Sequence, residues 1–330
     1  MTELATLLAG LRETPAMRSK QAIQHPARRL AGPPAKGEER YTRPGDDTAA
    51  FRCGDGYQLL AMEGMLPAFV EQAPWFAGWS AVMANVSDIA AMGGRAQAVV
   101  NAYWHHDAAA ADQLLAGMEA ACAAYGVLLA GGHTHQAPGN PACLAVAITG
   151  WARALLSTLH AEPGQLLAMA VDLDGRWHGD APYWKAFEGV PGECLRARLE
   201  LLPTLAEAGR LRAAKDISNA GILGTLLMLL EPTGCGARVE LDALPRPAGA
   251  PLERWLQVFP SYGFLMTLDA ADWPYVEAAF VAEGVHCAVI GQLDASARLW
   301  VEHAGQRAEF WNLREKPFTG FACPPRTEEH

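Results

Sequence analysis

The stretch from Ala77 to Gly94 constrains this chain more than any other. Small and apolar residues fill nearly every position, and the side chains that break the pattern are Asn85, Ser87 and Asp88. A helix without a polar face is a buried helix, and Gly93-Gly94 is positioned to stop it. An acid on such a helix is costly to bury unless it meets a cation or hydrogen-bond donors. Asn85 and Asp88 are three positions apart and share one helix face. Both are therefore expected to face something charged.

The rest of the composition narrows what that partner is. A length of 330 residues predicts two domains, and 51% hydrophobic with 19% charged residues is an ordinary globular balance. A net charge of −10 argues against nucleic acid or an anionic membrane as the partner. It leaves room for anionic ligands held through metal ions. The seven cysteines are odd in number, with no C-x-x-C pair, and read as reduced core residues of a cytoplasmic protein. The longest apolar run, Ala220 to Leu230, is too short to span a bilayer, and Met1 to Glu13 lacks the pattern of a signal peptide.

Strands and helices alternate in both halves, with hairpins at the front of each, which predicts an α+β fold in two domains. Residues 1–44 read as a short helix and a basic arm, 45–155 as the first domain, 156–320 as the second and 321–330 as a tail. In the arm, Pro26, Pro33 and Pro34 argue against regular structure between Glu13 and Tyr41. Its charges, Lys20 among them, read as a solvated face, with a basic lid over an anionic substrate as the alternative. The first domain is expected to hold a hairpin (48–53 and 57–62), the central helix (75–92), strands at 96–104, 127–130 and 142–149, and a helix at 108–125. In the second, the helix at 193–208 and the turn before the helix at 220–230 are the clearest features.

Five acids fall where strands or loops meet helices or turns: Asp46, Asp47, Glu63, Asp88 and Asp216. Each alone is explained by turn chemistry or, for Asp216, by a helix cap. Together they are the kind of carboxylate set that holds Mg²⁺ and leaves positions for phosphate and water. Two glycine-bearing turns are placed to meet phosphate, Gly131-Gly132-His133-Thr134 after a buried strand and Asn219-Ala220-Gly221-Ile222-Leu223-Gly224 opening a helix. Neither is a P-loop or a dinucleotide fingerprint. His133-x-His135 and His105-His106 lack a third ligand for zinc and read as ordinary imidazoles.

These segments together resemble the aminoimidazole-ribonucleotide (AIR) synthetase superfamily, to which thiamine-monophosphate kinase and selenophosphate synthetase belong. The resemblance rests on Gly45-Asp46-Asp47-Thr48-Ala49-Ala50, Asn85-Val86-Ser87-Asp88 with Ala91-Met92-Gly93-Gly94, Gly131-Gly132-His133-Thr134, and Asp216-Ile217-Ser218-Asn219-Ala220-Gly221. It implies an N-terminal sheet that pairs with a second subunit's sheet in a shared β-barrel, giving a homodimer, and an α/β C-terminal domain. It implies ATP and Mg²⁺ as cofactors, with Asp46, Asp47, Glu63, Asp88 and Asp216 on the metal. Asn85, Gly132, Thr134, Ser218 and Asn219 would meet the nucleotide, and Lys20 and His133 are the candidate catalytic residues. The chain departs from the superfamily's pattern in four places. Glu63 stands where the family usually carries Asp, His133 where the thiamine-phosphate kinases carry Asp, Asn219 replaces an Asp, and no cysteine precedes Cys53. The expected function is a Mg-dependent, ATP-using enzyme that phosphorylates or activates a small-molecule acceptor. The alternatives are a thiamine-monophosphate-kinase-like phosphotransferase and a catalytically silent ATP-binding subunit.

Overall fold

The computed structural model describes residues 2–30, 45–136, 139 and 141–321. It divides into two compact units. The first, called here the Asp88 unit, contains Asp47–Leu155 and Phe187–Ala208; the second, the Asp216 unit, contains Met1–Asp46, Leu156–Ala186 and Gly209–His330. The chain therefore passes from one to the other after residues 46, 155, 186 and 208.

Three helices open the chain, α1 (Glu3–Arg12), α2 (Pro15–Gln21) and α3 (Gln24–Leu30), all in the Asp216 unit. The prolines do not exclude regular structure here, as the sequence reading held. Pro15 is the first helical residue of α2, where a missing N–H costs nothing, and Pro26 lies in the first turn of α3. Thr2 and Thr14 cap α1 and α2 by accepting the Ala5 and Met17 amides. Leu4, Leu8 and Leu11 are buried, and Arg12 donates to the Glu309 and Phe310 carbonyls. Residues 2–30 are thus packed helices, not a solvated arm; residues 31–44 of the expected arm and 322–330 of the tail lie outside the described residues.

The Asp88 unit is built on β1 (Ala49–Cys53), β2 (Gly56–Met65), α4 (Pro67–Gln72), α5 (Pro74–Ala91), β3 (Arg95–His105), α6 (Ala108–Tyr125), β4 (Leu128–Gln136) and β5 (Cys143–Ala152). Its sheet runs β1-β2-β5-β3-β4, antiparallel except for β3–β4, which α6 connects as a parallel crossover. One face is buried: Leu144, Val146 and Ile148 of β5 point to it, alternating with more exposed neighbours. α5 and α6 meet through glycines. A Cβ on Gly78 would stand 2.1 Å from the Leu114 carbonyl oxygen, and one on Gly117 2.0 Å from that of Trp75. The other sheet face exposes Leu60, Met62 (70%), Val100 and Trp104. This sheet is open, with five strands, and does not close into a barrel within one chain.

A later helix, α7 (Gly192–Glu207), also belongs to the Asp88 unit, although sequence order assigns it to the second domain. Its buried face, Leu195, Leu202 and Leu205, packs there against α5 and α6, and at its exposed side Arg95 pairs with both Glu200 and Glu207, which raise the Arg95 pKa further. Arg196 of α7 donates to the Ala124 carbonyl at 2.7 Å.

The Asp216 unit is completed by β6 (Leu166–Val171), β7 (Arg176–Trp177), β8 (Tyr183–Lys185), β9 (Ala213–Asp216), α8 (Gly221–Leu230), β10 (Gly236–Glu240), α9 (Leu252–Leu256), β11 (Phe259–Pro260), β12 (Gly263–Leu268), α10 (Trp273–Ala282), β13 (His286–Asp294), β14 (Arg298–His303) and β15 (Gln306–Asn312). Its main sheet runs β15-β14-β10-β13-β6-β12-β9, with a small sheet β11-β8-β7 beside it in sequence. Every residue of α8 is buried, as its unbroken apolar sequence requires. Trp255, Phe310 and Phe318 anchor the same core. The six described cysteines are free; Cys122 and Cys235 are buried, but Cys53 and Cys194 are exposed, so they are not all core residues. Among the described residues no helix is long and apolar enough to cross a membrane.

Candidate functional site

α5 carries the first part of the site. It is buried at almost every position because its sequence offers no polar side, and Pro74 starts it where the backbone has no N–H to lose. Asn85 is fully buried. Its amide nitrogen donates to the Ala81 carbonyl (2.8 Å) and the Val146 carbonyl of β5 (3.0 Å), which fixes the side chain. Its Oδ1 is buried and meets no hydrogen-bond donor. One turn on, Asp88 is 7% exposed.

The loop before β1 brings Asp47 to Asp88. Their carboxylate oxygens lie within 4.8 Å of each other. Two like charges at that range repel by about 3 kcal/mol at an effective dielectric of ~20. The hydroxyl of Thr48, next to Asp47, is a second buried polar atom without a partner. Leaving such a group unpaired costs about 1–3 kcal/mol. Two carboxylates, an amide oxygen and a hydroxyl are all hard oxygen donors, and the Asp47–Asp88 pair fits a hard divalent cation such as Mg²⁺.

The other residues named from sequence fall as follows. Glu63 sits on β2 opposite Val146, on the same strand face as the buried Leu59 and Ala61. Asp46 does not accompany Asp47: its carboxylate accepts hydrogen bonds from Ser157 and Thr158 in the Asp216 unit. Asp216 ends β9 at 5% exposure. Ser218 and Asn219 form the turn between β9 and α8, where the Ser218 amide donates to the Thr225 hydroxyl and its carbonyl accepts the Gly221 amide. Gly221 has φ +67°, and a Cβ there would stand 2.2 Å from the Leu256 carbonyl, so only glycine fits. Lys20 is half-buried on α2.

The Gly131-Gly132-His133-Thr134 segment is a strand, not a turn. It runs within β4, paired with β3, after a register shift beside Gly131. Glycine at 132 is what allows the pairing, since a Cβ would meet Asn101 at 2.3 Å. By register His133 is opposite Ala102, and so shares the exposed face of Val100 and Trp104, away from α5. Thr134, opposite the buried Tyr103, points to the helix-covered side.

Among the buried ionisable residues that escaped the sequence reading are Lys215 (4% exposed) beside Asp216 and Asp172 (1%) just after β6. The apolar runs around them look like plain core strands. The Asp172 carboxylate accepts the Asp174 amide, a local turn that the sequence Asp172-Leu173-Asp174-Gly175 does signal.

The sequence models of two protein families match this chain, one described as AIR synthase related protein, N-terminal domain, over residues 45–152, and one as AIR synthase related protein, C-terminal domain, over residues 174–303. A relative in Synechocystis sp. is 42% identical over 96% of this chain and 98% of its own length, and is itself uncharacterised. The thiamine-monophosphate kinase of Caulobacter vibrioides is 28% identical over 75% of this chain and 77% of its own. Among solved structures, T. maritima PurL complexed with ATP superposes with a TM-score of 0.73 at 16% identity, covering 98% of this chain. The chain spans 53% of that PurL chain.

Proposed function

Since the chain belongs to the AIR synthase related family, we propose that it is a Mg-dependent, ATP-using enzyme that phosphorylates or activates a small-molecule acceptor. The observation that carries this reading is the pair formed by half-buried Asp47 and buried Asp88, one helical turn from the partnerless amide oxygen of Asn85. In this reading Asp47, Asp88, Asp216 and Glu63 are the residues that would hold Mg²⁺. Bound Mg²⁺ would draw charge from the triphosphate as the γ-phosphoryl group moves. The chain's own residues do the positioning. Asn85, held by two backbone carbonyls, presents its amide oxygen in one orientation. Beyond the Gly221 amide, which bonds the Ser218 carbonyl, the first turn of α8 offers backbone N–H groups to phosphate oxygens. Burial of Asp88 strengthens its hold on a cation.

Isothermal titration of the full chain with ATP tests the reading. Binding is expected in Mg²⁺ and its loss in EDTA. A panel of acceptors that includes thiamine monophosphate then separates the alternatives. Thiamine diphosphate as product identifies a kinase like the Caulobacter relative. Tight Mg-ATP binding with no turnover on any acceptor identifies a silent ATP-binding subunit. Absence of ATP binding overturns the proposal.

The proposal includes a homodimer. Leu60, Met62, Val100 and Trp104 make an apolar sheet face that a soluble monomer rarely leaves uncovered. A second copy laying the same face on it would give a two-fold, barrel-like interface. Met62→Glu, which puts a charge at the centre of that face, is expected to convert a dimer into a monomer by light scattering. A wild-type protein that is already monomeric removes this part of the proposal.

A further inference from the structure

We propose that Asp46 is a positioning residue that sets the place of Asp47, and not itself a metal ligand. The inference rests on the reading of Asp47 and Asp88 as a Mg²⁺ site. Its own basis is the set of hydrogen bonds at Asp46. One carboxylate oxygen, Oδ2, accepts from the Ser157 hydroxyl at 2.5 Å. The other, Oδ1, accepts from the Thr158 amide at 2.8 Å and from the Thr158 hydroxyl at 2.5 Å. Ser157 and Thr158 are each 1% exposed, so water does not compete for these donors. The Ser157 hydroxyl has its single proton committed to Asp46 and also accepts the Leu159 amide. Both oxygens of Asp46 are thus engaged by charge-assisted bonds, the stronger kind. A carboxylate so held has its orientation chosen for it, and a metal would have to break that set to win a ligand.

The place of this cluster along the chain is what gives it a role. Asp46 is the last residue before the chain passes into the Asp88 unit, and Leu156 is the first after it leaves again. Ser157 and Thr158 follow directly. A single carboxylate therefore ties the outgoing chain to the returning one, one peptide bond from Asp47. Gly45, with φ +127°, gives the chain the conformation it needs just before the tie, and a Cβ there would stand 3.0 Å from the Phe321 side chain. With residue 46 fixed, the Asp47 carboxylate has few places to go. Without the tie, its loop gains freedom and the pair with Asp88 is met less often.

The test uses Mn²⁺ in place of Mg²⁺, read by electron paramagnetic resonance on the full chain with ATP. Two changes are compared: Asp46→Asn, which removes the charge, and the pair Ser157→Ala with Thr158→Val, which removes two donors and cannot touch a metal ligand. Both are expected to weaken Mn²⁺ by about ten-fold, the usual effect of losing a group that orients a ligand, with the number of bound ions unchanged. Combining all three changes should weaken it no further, because they break one tie. The proposal is overturned if Asp46→Asn loses a bound ion, if the hydroxyl pair leaves affinity untouched, or if the effects add. Should the wild-type protein bind no Mn²⁺ with ATP, the metal-site reading fails on its own account. Asp46 is then judged by hydrogen exchange, which must accelerate at residues 47–49 in both variants; unchanged exchange there overturns the tie. Asp46→Glu, which keeps charge but misplaces it, serves if Asp46→Asn does not fold.

Discussion

Asp88→Asn is expected to reduce Mg²⁺-dependent ATP turnover by on the order of 100-fold or more, while the metal-free protein stays at least as stable as the parent. The two halves of this expectation have one cause. Half-buried Asp47 and buried Asp88 bring two carboxylates within 4.8 Å of each other. Without a cation each charge opposes the other. Asparagine keeps the shape of Asp88 and removes one charge, so the repulsion goes and the cation loses its ligand. Thermal unfolding with and without Mg-ATP measures both. The parent should gain stability with Mg-ATP by mass action, and the variant should not. A variant that turns ATP over at the parent rate would remove Asp88 from the site. A variant that unfolds far below the parent without metal would show that Asp88 is paired for structure instead.

The second large effect is expected at the crossing of α5 and α6. Gly117→Val should cost about 3 kcal/mol, because the added side chain has no void to enter and meets backbone rather than a flexible side chain. A Cβ at 117 would fall 2.0 Å from the Trp75 carbonyl oxygen and 3.0 Å from the Trp79 amide nitrogen. The reciprocal contact at Gly78 means that neither helix can slide to relieve the clash without closing the other gap. Helix glycine is otherwise about 1 kcal/mol less favourable than alanine, so a glycine kept inside a helix implies such a contact. Gly10 makes the control. It lies on the exposed side of α1 with nothing within 4 Å of its Cβ position, and Gly10→Ala should stabilise slightly. Urea midpoints for the variants decide this. An unchanged midpoint for Gly117→Val would mean that the helices are farther apart than described. Since α5 also carries Asn85 and Asp88, the same substitution should weaken metal binding even where the protein remains folded.

How far the sequence carried depended on how local each cause was. The central helix was legible to within a residue at each end, because an apolar surface all round and a glycine pair at the end are properties of the stretch itself. α6 was equally plain. Pro26 misled, since a proline's cost depends on its position within a helix, and Pro26 stands in the first turn of α3, where it is tolerated. Gly131-Gly132 misled in the opposite sense. Two glycines suggest a turn, but here one accommodates a register shift and the other a close neighbour across the sheet. The adjacent acids Asp46 and Asp47 could not be told apart locally. What separates them is Ser157 and Thr158, more than a hundred residues away. The allegiance of α7 was likewise hidden, because the partner of Glu200 and Glu207 is Arg95 on an early strand.

The four passages of the chain between its units have a consequence for the order in which the molecule can be made. The Asp88 unit has all its parts once residue 208 has left the ribosome. The Asp216 unit does not. Its first helix, with Leu4, Leu8 and Leu11 to cover, hydrogen-bonds through the Leu4 amide to Gln306, 302 residues later in the chain. The earliest helix therefore waits for almost the last strand, with apolar surface uncovered throughout. Domains fold as their segments become available during synthesis, and contacts this distant close last. The nascent protein should thus present a finished Asp88 unit flanked by an unpartnered leading helix, and that helix is where a chaperone would find something to hold.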